Sequence, residues 1–189
     1  MKLANPAVVG LSGFGGATLL LQFHNLGWCG PGVVLWLGLF YGGLMQLIAG
    51  YLEMTHNNNF GFSAFTCYGA FWMTLAGIFI GIKYQIFTPT GTDIGWFMVV
   101  FTIITFGYMI GALGTSKALF WVFVLLFFGF LFLDISHLVP GMGYFTKVAA
   151  WTLIASALGA WYVMFSAIFA QMFGRDVLPV GAPYVKPSA

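Results

Sequence analysis

Long apolar runs, set apart by single charges, dominate the pattern of this chain. No Asp, Glu, Lys or Arg stands between Lys2 and Glu53, Glu53 and Lys83, Asp93 and Lys117, Lys117 and Asp134, or Lys147 and Arg175. A helix needs about 20 apolar residues to cross the ~30 Å hydrocarbon core. The stretch from Leu3 to Leu52 therefore holds two crossings, broken where Gly27, Gly30, Pro31 and Gly32 punctuate a polar-leaning turn. The pattern predicts six spans, near residues 6–23, 33–52, 62–82, 94–113, 118–138 and 148–170. The runs are continuous rather than short and alternating, which excludes a transmembrane barrel. The expected fold class is an all-α membrane protein with six transmembrane helices in one compact bundle.

Composition agrees. Hydrophobic residues are 61% of the 189 positions and charged residues 5%, where a soluble domain carries about a quarter charged. Too few charges remain to cover a soluble surface, so soluble enzymes, nucleic-acid binders and disordered chains are excluded. Six crossings place both termini on one side, with Lys2, Lys117, Arg175 and Lys186, against Lys83 and Lys147 on the other. The positive-inside rule then puts both termini in the cytoplasm. The first span reads as a retained helix, not a signal peptide. Residues 1–172 form the expected membrane domain, and 173–189 a short cytoplasmic tail whose Pro179, Pro183 and Pro187 suggest an extended path.

Few residues here suit catalysis. His24, His56 and His137 fall at helix ends or loops with no second ligand three or four residues away. Zinc and haem sites need clustered or facing imidazoles. Only His24 and His137 share a side. Asp93 and Asp176 are loop residues, Glu53 and Asp134 stand at span ends, and no acid–base pair emerges. Cys29 and Cys67 lie at different depths, which argues against a disulfide. The expectation is no enzyme, no metal and no cofactor.

Small residues recur at helical spacing instead: Gly38, Gly42, Gln46 and Gly50 on the second span, and Gly107 with Gly111 on the fourth. Ala155 with Gly159 and Ser156 with Ala160 mark the sixth, and Gly10, Gly13, Gly15 and Gly16 the first. Such positions let helix backbones approach where lipid provides no hydrophobic drive. Thr18, Ser63, Thr66, Thr74, Thr102, Thr105, Ser156 and Ser166 are able to bond back to their own helices. Gln46 is different. An amide in mid-membrane needs a partner helix or water, so it is either inter-helix glue or a pore wall. Glu53 is expected at the membrane interface.

No Lys or Arg lies within a span, so nothing there would hold an anion strongly, and no carboxylate string suggests a proton relay. A solute crossing this bundle should be small, weakly held and at most singly charged. Rings such as Phe14 and Tyr68 fit a constriction gated by dewetting, although aromatics on such helices more often serve packing.

Three segments sharpen this. Asn5-Pro6-Ala7-Val8-Val9-Gly10-Leu11, followed by Gly13-Phe14-Gly15, resembles the N-terminal NPAPLGL signature of the acetate uptake transporter family, the succinate–acetate permeases. Phe40-Tyr41-Gly42-Gly43-Leu44-Met45-Gln46, running on to Glu53, is similar to a second family segment. Asn59-Phe60-Gly61-Phe62-Ser63-Ala64-Phe65-Thr66-Cys67-Tyr68-Gly69 is similar to a third, and Phe173-Gly174-Arg175-Asp176-Val177-Leu178-Pro179 to the family's end. The resemblance implies a six-helix protomer in a homohexamer within the plasma or inner membrane, in contact with lipid. It implies one narrow path per protomer for acetate and related short carboxylates, succinate in some members. The resemblance places the constriction at Phe14 and Tyr68 by motif and at Leu126 by alignment past Lys117, and signature or substrate-contacting roles at Asn5, Pro6, Gly10, Leu11, Gln46, Glu53 and Thr66. Val8 stands where the signature has a second proline, which restores a backbone N–H. The alternatives are a channel for a neutral solute such as urea, ammonia or water, and a membrane subunit that transports nothing.

Overall fold

The computed structural model describes residues 3–186; Lys2 and Pro187 lie outside them. Its helices are α1 (Ala7–Asn25), α2 (Pro31–Leu37), α3 (Met45–Glu53), α4 (Asn59–Lys83), α5 (Gly91–Gly111), α6 (Lys117–Leu138) and α7 (Phe145–Phe173). A π-helical segment, Gly38–Leu44, joins α2 to α3 without a break, so α2 and α3 make one crossing. Six apolar helical segments are thus long enough to span a bilayer, and the chain is a multi-pass membrane protein. Neighbours pack in a closed order: α1 against α3 and α7, α3 against α4, α4 against α5, and α6 between α5 and α7.

Helices α4, α5 and α6 begin earlier than the apolar runs suggest because polar side chains cap them. Asn58 accepts the Gly61 N–H at 3.0 Å and starts α4. Thr90 and Asp93 form a capping box on α5, and Ser116 accepts the Leu119 N–H at 3.2 Å on α6. These residues satisfy N–H groups that the first helical turn leaves free. At the other end α7 runs on to Phe173 and stops at Gly174, whose φ of 67° is left-handed.

Most of the small-residue stripes do bring backbones together. A Cβ at Gly42 would sit 2.6 Å from the Trp72 ring and 2.7 Å from the Ala17 methyl. One at Gly10 would sit 2.5 Å from Phe65. On α7, Ser156 donates to the Val122 carbonyl of α6 at 2.9 Å. Gly107 departs from expectation: a Cβ there meets nothing within 4 Å, because that face of α5 points out of the protomer with Ile103 and Ile110.

Two features add to the expectations. Glu53 ends α3, as expected, and is 2% exposed. Asn58 folds back over it and donates Nδ2–H to Oε2 at 2.7 Å, giving the carboxylate a partner inside the protein. The tail is extended but not free. It returns along α6 and α7, where Ala118 N–H donates to the Val180 carbonyl at 2.9 Å and Tyr162 to the Pro179 carbonyl at 2.9 Å. Ser166 adds a bond to the Leu178 carbonyl at 2.8 Å. Cys29 and Cys67 are both free.

Candidate substrate pathway

Phe14 on α1, Tyr68 on α4 and Leu126 on α6 converge at the centre of the bundle, with 6%, 3% and 3% of their surface exposed. Each stands seven to nine residues into its helix from the end that carries the termini, or roughly 10–14 Å at 1.5 Å per residue. The Phe14 and Tyr68 rings lie 6.0 Å apart and tilted by 57°. Two cavities of about 20 Å³ flank this point, each with room for about one water. The three residues shared by both linings are Phe14, Tyr68 and Leu126. They form the partition.

The cavity nearer the termini is lined by Leu11, Gln46, Ala64, Phe65, Leu119 and Phe123, among others. It adjoins a wider vestibule of about 130 Å³ that reaches Asn5, Asn58 and Gly61. Beyond the partition, the second cavity is walled by Thr18, Gln22, Met98, Leu133 and Leu153. Among the described residues, no charged side chain lines either cavity.

Gln46 is the chemically distinctive residue. It is fully buried, and neither its Nε2 nor its Oε1 has a hydrogen-bond partner. A buried amide without partners is costly, and it is held here by its packed surroundings. Gln46 borders the cavity nearer the termini, but the wall exposed there is apolar, so the amide lies packed behind it.

Tyr68 is held from behind. Its hydroxyl lies 2.8 Å from Thr105 Oγ1 on α5, with Thr105 fully buried. Tyr68→Phe is expected to cost about 1 kcal/mol of stability and to loosen the ring, which thermal unfolding alongside acetate flux would register. A variant as stable as the parent would remove Thr105 from this role.

The remaining residues of interest are distributed unevenly. Leu11 and Gln46 join Phe14, Tyr68 and Leu126 around one cavity. Asn5 lies at the mouth, where its Oδ1 accepts the Ala7 N–H at 3.0 Å. The N–H restored at Val8 donates to the Asn5 carbonyl at 3.3 Å, so the missing proline leaves no loose donor. Pro6 and Gly10 shape the start of α1, where Gly10 N–H donates to the Pro6 carbonyl at 3.1 Å. Glu53 sits behind Asn58 at the vestibule rim. Thr66 turns away from the path: it bonds the Phe62 carbonyl at 2.7 Å and lies against Gly50.

Sequence reasoning overlooked Gln22, which is 1% exposed and accepts from Asn25 at 2.9 Å. Its signal was an amide four residues after Thr18 within an uncharged run. His24 and His137 each bond a backbone carbonyl, of Cys29 and Leu133 respectively, at 2.9 Å.

Comparisons with known proteins point the same way. The succinate-acetate/proton symporter SatP of Escherichia coli K12 is 37% identical over 182 residues, covering 95% of this chain and 96% of that one. The structure of the bacterial acetate channel SatP superposes with a TM-score of 0.91 at 36% identity, over 95% of this chain and all of the other. Ammonia transport outward protein 2 of Saccharomyces cerevisiae is 34% identical over 88% of this chain and 62% of its own length. A model of the GPR1/FUN34/yaaH family matches residues 1–177, and the chain belongs to that family.

Proposed function

We propose that the chain is a membrane transporter for acetate and related short carboxylates, succinate among the candidates, with one narrow path per protomer. The observation that carries this reading is the path itself: two small uncharged chambers meeting at Phe14, Tyr68 and Leu126. A protonated carboxylic acid is small and carries no charge, which suits such walls. A bare carboxylate would lose several kcal/mol of hydration at such a point, so the acid form crosses more readily. Phe14, Tyr68 and Leu126 then reject longer or branched acids by size. Gln46 and Leu11 border its approach, and Asn5 and Glu53 shape the mouth, while Pro6, Gly10 and Thr66 hold the helices in place.

On this reading, residues 1–172 are the transport domain and 173–189 a tail, both termini are cytoplasmic, and the protein sits in the plasma or inner membrane. Six copies associate through lipid-embedded outer faces such as that of α5. The protein moves its substrate unchanged and catalyses no reaction.

Acetate uptake into vesicles holding the purified protein tests this across pH 5 to 8, with and without an uncoupler. Acetic acid titrates near ~4–5, so the acid form falls about tenfold for each pH unit above that. Flux is expected to rise as pH falls, and collapse with the uncoupler marks proton-linked movement. Uptake that follows the acetate gradient alone marks a channel. No acetate uptake, with intact oligomers in the same vesicles, overturns the reading in favour of the neutral-solute path suggested by the ammonia-named relative.

A further inference from the structure

Two threonines about one turn apart on α5 tie it to its neighbours. Thr105 bonds Tyr68, and Thr102 bonds Asp134 of α6. Asp134 stands in the last turns of α6, as expected, and is 7% exposed. Its Oδ2 is 2.6 Å from Thr102 Oγ1, which is also 3.2 Å from the Met98 carbonyl. Its Oδ1 is buried without a partner.

Proton counting separates two states of this group. A hydroxyl has one proton to give, and a carbonyl only accepts. With the carboxyl protonated, Asp134 donates to Thr102 and Thr102 donates to Met98, so both contacts are hydrogen bonds. With the carboxyl ionised, Thr102 gives its proton to Asp134, the Met98 contact lapses, and a buried anionic oxygen is left unpartnered.

Among the described residues, His137 is the group placed to offset that charge. α6 packs against α5 and α7. The one charged residue of α5 is Asp93, and that of α7 is Lys147, both exposed at helix starts. On α6 itself, His137 follows three residues later with Nδ1 held by the Leu133 carbonyl. Leu133 and Met98, which flank Asp134 and Thr102, line the cavity beyond the partition. An ionised Asp134 therefore places a negative charge just behind the wall of the path.

We infer that Asp134 is a proton-responsive residue: neutral, it leaves the second cavity passable to the acid and, more slowly, to the carboxylate that predominates at high pH, and ionised, it opposes the carboxylate by like charge. This rests on the transport reading above. It adds to the titration of the substrate, and the two separate when variant and parent are compared at each pH.

The test uses Asp134→Asn, whose amide keeps the bond to Thr102 and carries no charge. Acetate exchange in vesicles with equal acetate and equal pH on both sides is measured from pH 5 to 8 for parent and variant. Their ratio cancels the acid fraction of the substrate. It is expected to stay near one at pH 5 and to rise to about fivefold or more at pH 8. Infrared difference spectra of the purified protein between the same pH values are expected to lose one titrating carboxylic C=O band in Asp134→Asn. Thr102→Val, which leaves Asp134 in place, is expected to shift the frequency of that band and keeps the test open if the first variant does not fold. A flat ratio overturns the inference, as does a band unmoved in both variants. Absence of acetate exchange in the parent would instead sink the transport reading, while the infrared result still judges Asp134.

Discussion

Replacing Leu126 with alanine is expected to admit bulkier acids such as lactate, raising lactate flux relative to acetate by about tenfold or more. Leu126 is 3% exposed and borders both cavities. Truncation removes three carbons from the partition and merges two chambers that each hold about one water. A single methylene in an apolar pocket discriminates by about 1–3 kcal/mol, or 10–200-fold, so three are ample for this change. The substitution also removes packing, at a cost of about 2–5 kcal/mol when a buried leucine becomes alanine. Leu75→Ala supplies the control, because Leu75 is 5% exposed in the core and borders neither cavity. Competition between labelled acetate and unlabelled lactate, measured on folded variants, decides. An unchanged selectivity profile in folded Leu126→Ala would count against the constriction.

Gly13→Ala is expected to damage the fold more than any other single methyl addition on α1. The new Cβ would overlap the Tyr41 carbonyl oxygen, a backbone atom in the π-helical segment. Neither side is free to retreat. Ser12 is hydrogen-bonded to Tyr41 through their hydroxyls, and Trp161 Nε1–H donates to the Ser12 carbonyl at 3.2 Å. Overpacking in a tight core costs about 1–3 kcal/mol and sometimes more, and backbone contact places this site at the upper end. The gain of about 1 kcal/mol in helix propensity from Gly to Ala does not offset it. Because Phe14 is the next residue, any shift that relieves the clash also moves the constriction. Thermal unfolding in detergent should show a large loss for Gly13→Ala and little within the protomer for Gly107→Ala, where a Cβ meets nothing. Equal stability of Gly13→Ala and the parent would mean that α1 and the π segment are not held this closely.

Spacing between charges was enough to count the crossings, because an ion in hydrocarbon is expensive wherever the helix packs. The helix starts were less legible. Asn58, Thr90 and Ser116 look like loop residues in an apolar profile, yet they belong to their helices as caps. The π segment was hidden for another reason: Gly38, Gly42 and Gly43 are consistent with a plain packing stripe, and only the fit against Trp72 and Ala17 shows how that stripe is used.

The candidate site divides along the same line. Motif resemblance singled out Phe14 and Tyr68, alignment past Lys117 added Leu126, and the fold brings the three between two chambers. Thr66 sits in the same motif as Tyr68, but two residues of helix turn it to a different face, towards Gly50. Ser63, Thr105 and Ser166 were legible only as hydroxyls able to satisfy themselves locally, whereas each bonds to another part of the chain.

By itself the sequence determined that this chain lives in a bilayer, crosses it six times and has no Lys or Arg within its expected spans. Those properties follow from the free energy of transferring each side chain, which is local and adds along the chain. Tertiary structure decided which polar groups are answered and which are not. Tyr68 finds Thr105 from 37 residues away, Asp134 finds Thr102 from 32, and Gln46 is left with no partner at all. Hydrogen bonds reach about 3 Å and require alignment, so pairing depends on helix rotation and crossing, which no stretch of sequence specifies alone.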